Sequence, residues 1–318
     1  MKRLKIEKAI NMDEYPVGKV AFKLFYLGSK YSGLASQKGF KKNSTVTQSN
    51  AIEDYLIDTF QSLRLIDDRT TCDFSRSGRT DAQVSAVSQV FAVKVRLSNK
   101  KLVQKDDSSR SPKEVTSDLL DYCKILNKKL PQEIRIIDYC RVPDDFNARF
   151  SCEWRQYHYF FPIVGLNLSA MQRAVSYLIG RHDFYNLCIV DPCKPKDYNT
   201  VRNIIEAEIA SSPFSDKYWG FLRIKADGFL YHQIRCIMAI LLQIGKDERS
   251  SEYMKQLLDR DIIKQKPGMH LADPVPLVFS EAGYEELDWS KDPKSKEYIG
   301  KLYQHKCAEA FITKLVFE

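Results

Sequence analysis

A valine-rich run at residues 87–95 directly follows a polar segment that carries Arg79, Thr80 and Asp81. Residues branched at Cβ favour strands, so this pattern predicts a strand with the Asp81 carboxylate on the loop at its mouth. Loops of this kind commonly display a nucleophile or a general base. Taken alone, the same residues also fit a turn capped by Asp81 beside a solvated Arg79. The choice between these interpretations depends on the rest of the chain.

Strand and helix patterns alternate along the sequence. Apolar residues alternate at 19–26 and then fall three and four apart at 52–63, which predicts a strand followed by an amphipathic helix. A similar order recurs later, with a helix ending at Gly180 and strands at 204–209 and 219–226. We therefore predict an α+β fold. Two pseudo-duplicated α/β halves of the ferredoxin or RRM type are expected to form an extended, mostly antiparallel sheet with a central active-site cleft.

Composition shifts divide the chain. Pro143 and the two aspartates that follow it mark a boundary, so we predict a polar N-terminal extension at 1–16, an N-terminal half at 17–145 and a C-terminal half at 146–318. Residues 99–117 are rich in Lys, Ser and Asp, which indicates an exposed insertion. Residues 181–188 are expected to form a loop.

The charge balance points to an anionic partner. Lysine and arginine exceed aspartate and glutamate by 8, and 44% of the residues are hydrophobic, which excludes a wholly disordered chain. Aromatic and basic residues alternate at 155–159, a pairing that suits base stacking and phosphate contact, although most aromatic residues are expected in the core. Nucleic acid is therefore the leading candidate.

The cysteines and the hydropathy pattern indicate which cell compartment the protein occupies. The eight cysteines include no Cys-x-x-Cys pair and no cluster with histidines, so neither a zinc site nor a disulfide framework is indicated. No apolar run approaches the length of a membrane span. We expect an intracellular protein of the cytoplasm, the nucleus or both, with no membrane partner.

Three further segments are candidates for a functional site. Residues 26–37 combine two glycines with hydroxyl groups, which suits a loop that approaches a substrate closely. Aromatic residues crowd a predicted strand that contains Tyr157. A helix predicted after Gly228 places His232 and Arg235 on one face, where the arginine suits an acidic partner or simply lies at the surface. The apolar residues of this helix are predicted to face inward: Ile234, Ile237, Met238 and Leu241.

Together these motifs resemble the TruA-type tRNA pseudouridine synthases. The resemblance rests on residues 26–37, the Gly-Arg-Thr-Asp loop at 78–81, residues 146–159, residues 180–184 and residues 228–245, in that order. The chain is most similar to the eukaryotic branch that modifies positions 38 and 39 of the anticodon arm. The resemblance implies a tRNA substrate, a homodimer, and neither cofactor nor metal.

The same resemblance assigns roles to residues. It makes Asp81 the catalytic aspartate, Arg235 its partner, and Tyr157 the aromatic that packs on the target base. It assigns substrate contacts to Arg79, Thr80, Gln37, Arg149 and His232. Exchanging a C–N for a C–C glycosidic bond needs a carboxylate that stays ionised, and a nearby guanidinium lowers its pKa and orients it. Attack of Asp81 on the sugar, attack on the ring carbon and abstraction of a sugar proton all fit.

One departure leaves an alternative open. The family pattern has glycine two residues after the aspartate, whereas this chain has Gln83. If that position needs a positive φ, the glutamine is strained by roughly 1 kcal/mol or more. Because Asp81, Tyr157 and Arg235 are all present, the chain is predicted to be an active tRNA pseudouridine synthase. The alternatives are a tRNA-binding or folding protein with weak or lost catalysis, and a plain RNA-recognition module.

Overall fold

The computed structural model describes residues 12–36, 50–98, 119–190, 195, 198–211, 218–268, 270–285, 287–289, 297 and 300–301. The strands in this part of the chain are β1 (Val17–Tyr26), β2 (Ser75–Arg76), β3 (Ser85–Arg96), β4 (Ile134–Arg141), β5 (Trp154–Pro162), β6 (Gly180–Asp183), β7 (Val201–Ser211), β8 (Trp219–Ala226) and β9 (Leu277–Gly283). The helices are α1 (Ile52–Ser62), α2 (Tyr122–Asn127), α3 (Leu168–Ser176), α4 (Gln233–Gly245) and α5 (Glu252–Leu257). Short 3₁₀ turns lie at Met12–Glu14, Gly28–Lys30 and Tyr185–Leu187.

All of these strands join in one sheet. Its order is β4-β1-β3-β9-β5-β8-β7-β6, and the short β2 pairs with β3. The pairs are antiparallel except for β3 and β9, which run parallel. The predicted α+β fold with a large, mostly antiparallel sheet is therefore confirmed. β9 lies between β3 and β5, so strands from both halves of the chain form one continuous surface.

Aromatic packing fixes β3, the strand that follows the Asp81 loop. The predicted helix is confirmed as α1, and its apolar positions are completely buried: Ile52, Leu56 and Phe60. The ring of Phe60 meets Phe22 of β1 edge-on, with centroids 5.4 Å apart, and Phe22 stacks on Phe91 of β3 at 5.1 Å. Burying each such ring stabilises the fold by about 1.5–3 kcal/mol. The middle of β3 is thus held firmly against β1.

Helices α3 and α4 pack against each other in the C-terminal half. The residues of α4 that were predicted to face inward are buried: Ile234, Ile237, Met238 and Leu241. A Cβ added at Gly245 would lie 2.6 Å from the sulfur of Met171, so the small residue lets the two helices approach closely. This packing fixes α4, which carries Arg235.

Two elements differ from the sequence expectations. Residues 180–183 form strand β6, paired with β7, where a loop was predicted, because backbone pairing with a longer strand compensates for their weak strand propensity. β9 was not predicted at all, although its Phe279 is completely buried. The predicted insertion at 99–117 and Gln37 lie outside the described residues.

Candidate active site

The Asp81 loop joins β2 to β3 and is held by the turn that follows β1. The N–H of Gly28 donates to the hydroxyl of Ser85 at 2.9 Å. A Cβ added at Gly28 would lie 1.9 Å from the carbonyl oxygen of Val84, so only glycine fits there. Gly33 has a φ of +95°, and its added Cβ would lie 2.5 Å from the carbonyl oxygen of Thr80. The two glycines therefore allow residues 28–33 to lie directly against the Asp81 loop.

Hydrogen bonds join the same two segments. The N–H of Gln83 donates to the carbonyl of Tyr31 at 3.1 Å, and the N–H of Leu34 donates to the carbonyl of Thr80 at 3.4 Å. The side chain of Thr80 is buried, and its hydroxyl lies 2.7 Å from the hydroxyl of Tyr26. Thr80 was predicted to contact substrate. Its hydroxyl instead contacts Tyr26 and stabilises the loop.

The structure brings Asp81 and two residues at the start of α4 together. Oδ2 of Asp81 lies 3.4 Å from Nη1 of Arg235 and 3.3 Å from Nε2 of His232. The three side chains are 22%, 13% and 12% exposed, respectively, so this contact is largely shielded from water. Nε of Arg235 also donates to the carbonyl of Ala272 at 2.8 Å, which fixes the guanidinium plane. One carboxylate oxygen is thereby anchored by two partners.

His232 has an unusual backbone and environment. Its φ is 59°, in the left-handed region, and its ring stacks on Tyr231 with centroids 3.7 Å apart. Burial lowers the pKa of His232; the Asp81 carboxylate opposes this shift, and the Arg235 charge adds to it. His232 is therefore a close polar neighbour of the Asp81 carboxylate, and Arg235 supplies both the positive charge and a hydrogen bond, from Nη1 to Oδ2.

Tyr157 lies on β5 among other aromatic rings. It is 8% exposed, and its ring meets Phe229 and Phe279 edge-on, with centroids 5.2 Å and 5.0 Å away. Burial raises the pKa of Tyr157, and the nearby Tyr26 and Asp81 raise it further. Its hydroxyl is therefore neutral, and its ring is held rigidly near the Asp81 carboxylate.

Exposed arginines lie beside this site. Arg79 and Arg149, both predicted to contact substrate, have exposed side chains. Burial lowers the pKa of Arg76, the Glu53 carboxylate opposes this shift, and the charges of Arg79, Arg69 and Arg149 add to it. Arg79 and Arg149 are therefore electrostatic neighbours of Arg76, and because Arg76 is paired with Glu53, the two exposed guanidinium groups carry the positive surface next to the loop.

Comparisons with known proteins identify the family. The model of the tRNA pseudouridine synthases matches residues 174–285. A Caenorhabditis elegans protein named "Probable tRNA pseudouridine synthase tag-124" is 35% identical over 301 residues, which cover 90% of this chain and 73% of that protein. The chain belongs to the tRNA pseudouridine synthase family. The resemblance found in the sequence motifs is thus confirmed, and the family is one of enzymes.

Other members of the tRNA pseudouridine synthase family are named tRNA pseudouridine(38/39) synthase. The Saccharomyces cerevisiae protein is 34% identical over 300 residues, which cover 93% of this chain and 64% of the relative. The human protein is 32% identical over 303 residues, which cover 92% of this chain and 61% of the relative. The chain thus spans less than two thirds of the length of these two synthases.

Gln83 marks a departure of this chain from the family pattern. Its φ is 69°, so the position does take the left-handed conformation that favours glycine. The turn is nevertheless closed, because the N–H of Val84 donates to the carbonyl of Asp81 at 3.3 Å. Asp81 still contacts Arg235. The glutamine therefore adds local strain without preventing that contact.

Arg155 of β5 is a site residue whose role was missed in the sequence. Its Nε and Nη2 donate to the carbonyl of Ser77 at 3.1 Å and 2.9 Å. Its remaining bonds go to the carbonyls of Cys152, Asp227 and Arg149 at 2.9 Å, 2.7 Å and 2.6 Å. A guanidinium has five N–H donors, and all five are used here. Arg155 therefore ties three backbone segments together and has no N–H left to donate to a phosphate.

A strand period of two places Arg155 on the same face as Tyr157, which is the signal that could have identified it. Within the described ranges, no three His, Cys, Asp or Glu side chains come together as a metal site. No helix there has the length and apolar character needed to cross a membrane.

Proposed function

We propose that this chain isomerises uridine to pseudouridine in tRNA, with Asp81 as the catalytic carboxylate. The observation that carries the proposal is the contact of one Asp81 oxygen with both Arg235 and His232, at 3.4 Å and 3.3 Å. A guanidinium that donates to one carboxylate oxygen fixes the direction of the carboxylate. The second carboxylate oxygen is then oriented for the substrate.

The reaction conserves every atom of the uridine. The bond from the sugar to ring nitrogen N1 breaks, a bond from the sugar to ring carbon C5 forms, C5 loses a proton and N1 gains one. An isomerisation has no net redox change, so it calls for no redox cofactor. An ionised Asp81 can assist this exchange at the sugar or at the ring, and both routes need the carboxylate in place before the base arrives.

A paired or stacked uridine must first leave its helix. Flipping a base costs a few kcal/mol and requires a stacking surface and a group that fills the gap. In the proposal, Tyr157 packs on the flipped base and exposed Arg79 contacts the RNA that the base leaves. Arg149 and His232 are further proposed substrate contacts, and Arg79 and Arg149 lie on the positive surface described above.

Several finer points belong to the same proposal. We propose positions 38 and 39 of the anticodon arm as the targets, because the yeast and human relatives carry those positions in their names. We also propose a homodimer and two pseudo-duplicated halves with the site in the cleft between them. A cytoplasmic or nuclear location follows if folded tRNA is the substrate.

The test is pseudouridine mapping by carbodiimide on an unmodified tRNA transcript. The protein is compared with Asp81→Asn, which keeps the size of the side chain, and with Asp145→Asn, which changes an exposed aspartate. We expect signals at positions 38 or 39 from the protein and from Asp145→Asn, and none from Asp81→Asn, with tRNA affinity retained in all three.

Other results would change the conclusion in defined ways. Signals at other uridines would keep the reaction and overturn the positions. Full activity of Asp81→Asn would overturn the role of Asp81. Tight tRNA binding without any signal would favour the alternative of a tRNA-binding protein, to which the strained Gln83 would then be relevant.

A further inference from the structure

Phe150 is an aromatic residue that the proposed mechanism does not use. Its side chain is 80% exposed, the highest value among the large hydrophobic residues in the described part of the chain. A single exposed apolar side chain needs no special explanation. Phe150 differs because its loop is held rigidly, a positive charge lies next to its ring, and the loop is connected to the Asp81 loop.

The Phe150 loop, residues 147–151, is closed by hydrogen bonds to Asn147. The side-chain oxygen of Asn147 accepts from the N–H groups of Arg149 and Phe150 at 3.0 Å and 3.4 Å. The backbone carbonyl of Asn147 accepts from the N–H of Ser151 at 2.8 Å. An exposed ring on such a closed turn loses less conformational entropy when it binds a partner than a ring on a loose loop does.

The Phe150 loop is also anchored to the loop that carries Asp81. Nη2 of Arg155 donates to the carbonyl of Arg149 at 2.6 Å and to the carbonyl of Ser77 at 2.9 Å. The N–H of Ala148 donates to the hydroxyl of Ser75 in β2 at 3.1 Å. These bonds fix where the Phe150 ring lies relative to the Asp81 loop.

The charge around the ring favours an anionic partner. The guanidinium of Arg149 lies 5.5 Å from the centroid of Phe150, and Arg149 and Arg79 are both electrostatic neighbours of Arg76. An exposed aromatic face next to guanidinium groups is the combination that binds single-stranded nucleic acid, because bases stack on the ring while phosphates meet the cations. A protein partner would use the apolar ring but would not need this concentration of arginine.

We propose that Phe150 is a stacking site for an unpaired base of the RNA, with Arg149 contacting the adjoining phosphate. This inference rests on the proposed function, since it places the RNA across the Asp81 loop. The stacked base is a neighbour of the target uridine rather than the target itself, which is assigned to Tyr157. Phe150 would then help to hold the RNA strand while the target base is out of its stack.

The test compares Phe150→Ala, Phe150→Leu and Phe150→Trp by their Kd for an unmodified tRNA transcript. Loss of one stacking contact raises Kd by about 5- to 150-fold, so we expect this of Phe150→Ala. Phe150→Trp keeps a stacking face and should stay within about twofold. Phe150→Leu keeps apolar bulk without a π face and should resemble Phe150→Ala.

Two further readouts report on stacking itself. A 2-aminopurine base placed at each unpaired position of the anticodon loop should be quenched at one position by the protein and by Phe150→Trp, and the quenching should be lost in Phe150→Ala. The slope of log Kd against log salt should be unchanged in Phe150→Ala, whereas Arg149→Gln should reduce it by about 1.

The inference and the proposed function fail in different ways. A Phe150→Ala variant with an unchanged Kd and unchanged quenching would overturn the stacking site even if the protein modifies tRNA normally. Full binding by Phe150→Leu would also overturn it. A protein that forms no pseudouridine but shows the expected losses in Kd and quenching would contradict the proposed reaction and still support the stacking site.

Discussion

Arg155 donates two hydrogen bonds to the carbonyl of Ser77, although the two residues lie 78 positions apart in the sequence. Ser77 begins the loop that carries Asp81, and the remaining donors of Arg155 bind carbonyls in two other segments. Arg155 is therefore a positioning residue, since its bonds go to backbone groups around the carboxylate. It connects the Asp81 loop to the loop that carries Phe150.

Arg155→Lys should lower kcat and should weaken tRNA binding less than Phe150→Ala does, because it loosens the Phe150 loop but keeps the ring. Lysine has one ammonium group and cannot reach three separate segments. Losing hydrogen bonds from a charged donor costs roughly 1.5–3 kcal/mol, which corresponds to about a 10- to 100-fold lower kcat if it falls on the positioned carboxylate. Single-turnover pseudouridine formation and the Kd for tRNA measure the two effects separately.

A matched control is Arg181→Lys, since Arg181 is an exposed arginine on β6. It should leave kcat unchanged. Added guanidinium should partly restore the rate of Arg155→Ala and should have no effect on Arg181→Ala. Two results together would limit Arg155 to a role in folding. The rate loss in Arg155→Lys would have to match its thermal destabilisation, and Arg155→Ala would have to show no response to guanidinium.

Repeating side-chain patterns identified most of the secondary structure. The strand predicted at 87–95 is β3 (Ser85–Arg96), and the inward face of α4 was predicted residue by residue, because alternation and helical spacing are local properties. β9 escaped prediction because its place between β3 and β5 depends on pairing with strands far away in the sequence. Short segments of this kind gain their structure from their neighbours.

Part of the site could be predicted from the sequence in the same way. The face of α4 that carries Arg235 indicated an acidic partner, and the structure places Asp81 there. The strand period places Arg155 on the face of Tyr157, but its role could not be predicted, because all of its partners are backbone carbonyls, which every residue possesses. The buried hydroxyl of Thr80 is a similar case, since its bond to Tyr26 depends on how two distant loops pack.

Gly28→Ala should destabilise the protein and displace the Asp81 loop. The added Cβ would lie 1.9 Å from the carbonyl oxygen of Val84 and 2.4 Å from its carbon, and both are backbone atoms that cannot rotate away. Overpacking of this kind costs about 1–3 kcal/mol. Thermal unfolding measures the loss of stability, and pseudouridine mapping measures the loss of activity expected when the Asp81 carboxylate is displaced.

Gly78→Ala provides the control for Gly28→Ala. Gly78 lies in the Asp81 loop, but a Cβ added there would meet no heavy atom within 4 Å. Its effect on stability should stay within about 0.5 kcal/mol. Equal effects of the two substitutions would contradict the close approach of the turn at Gly28 to Val84.

The stability of the protein should fall as the pH falls from 7.5 to 5.5, and His232 should contribute to that fall. Burial lowers the pKa of His232 in the folded state, so the unfolded state, with an ordinary pKa near 6.5, binds more protons in this window. Proton uptake on unfolding makes stability rise with pH. His232→Gln keeps a polar side chain beside Asp81 but removes this titration.

Thermal unfolding at several pH values tests the contribution of His232. The difference in Tm between pH 7.5 and pH 5.5 should be smaller for His232→Gln than for the unchanged protein. Burial, reinforced by the charge of Arg223, also lowers the pKa of His158. The double variant with His158→Gln should therefore flatten the profile further. An unchanged profile in His232→Gln would contradict its burial as a neutral ring.

Gln83→Gly should stabilise the protein. A residue with a side chain in the left-handed region is strained by about 1–2 kcal/mol, and glycine removes that strain at a smaller cost in unfolded-state entropy, so the net gain is about 0.5–1 kcal/mol. Ala82→Gly is the control, since Ala82 does not have a positive φ and should lose roughly 0.4–1 kcal/mol. Denaturant unfolding measures both.

The same variant separates strain from function. The backbone bond from Gln83 to Tyr31 is kept in Gln83→Gly, so the rate of pseudouridine formation should change by less than about twofold if the loop already holds Asp81 correctly. A rate more than about tenfold higher would mean that the glutamine holds the loop away from its active geometry. The chain would then be a member of its family in which tRNA binding has been kept while catalysis has weakened.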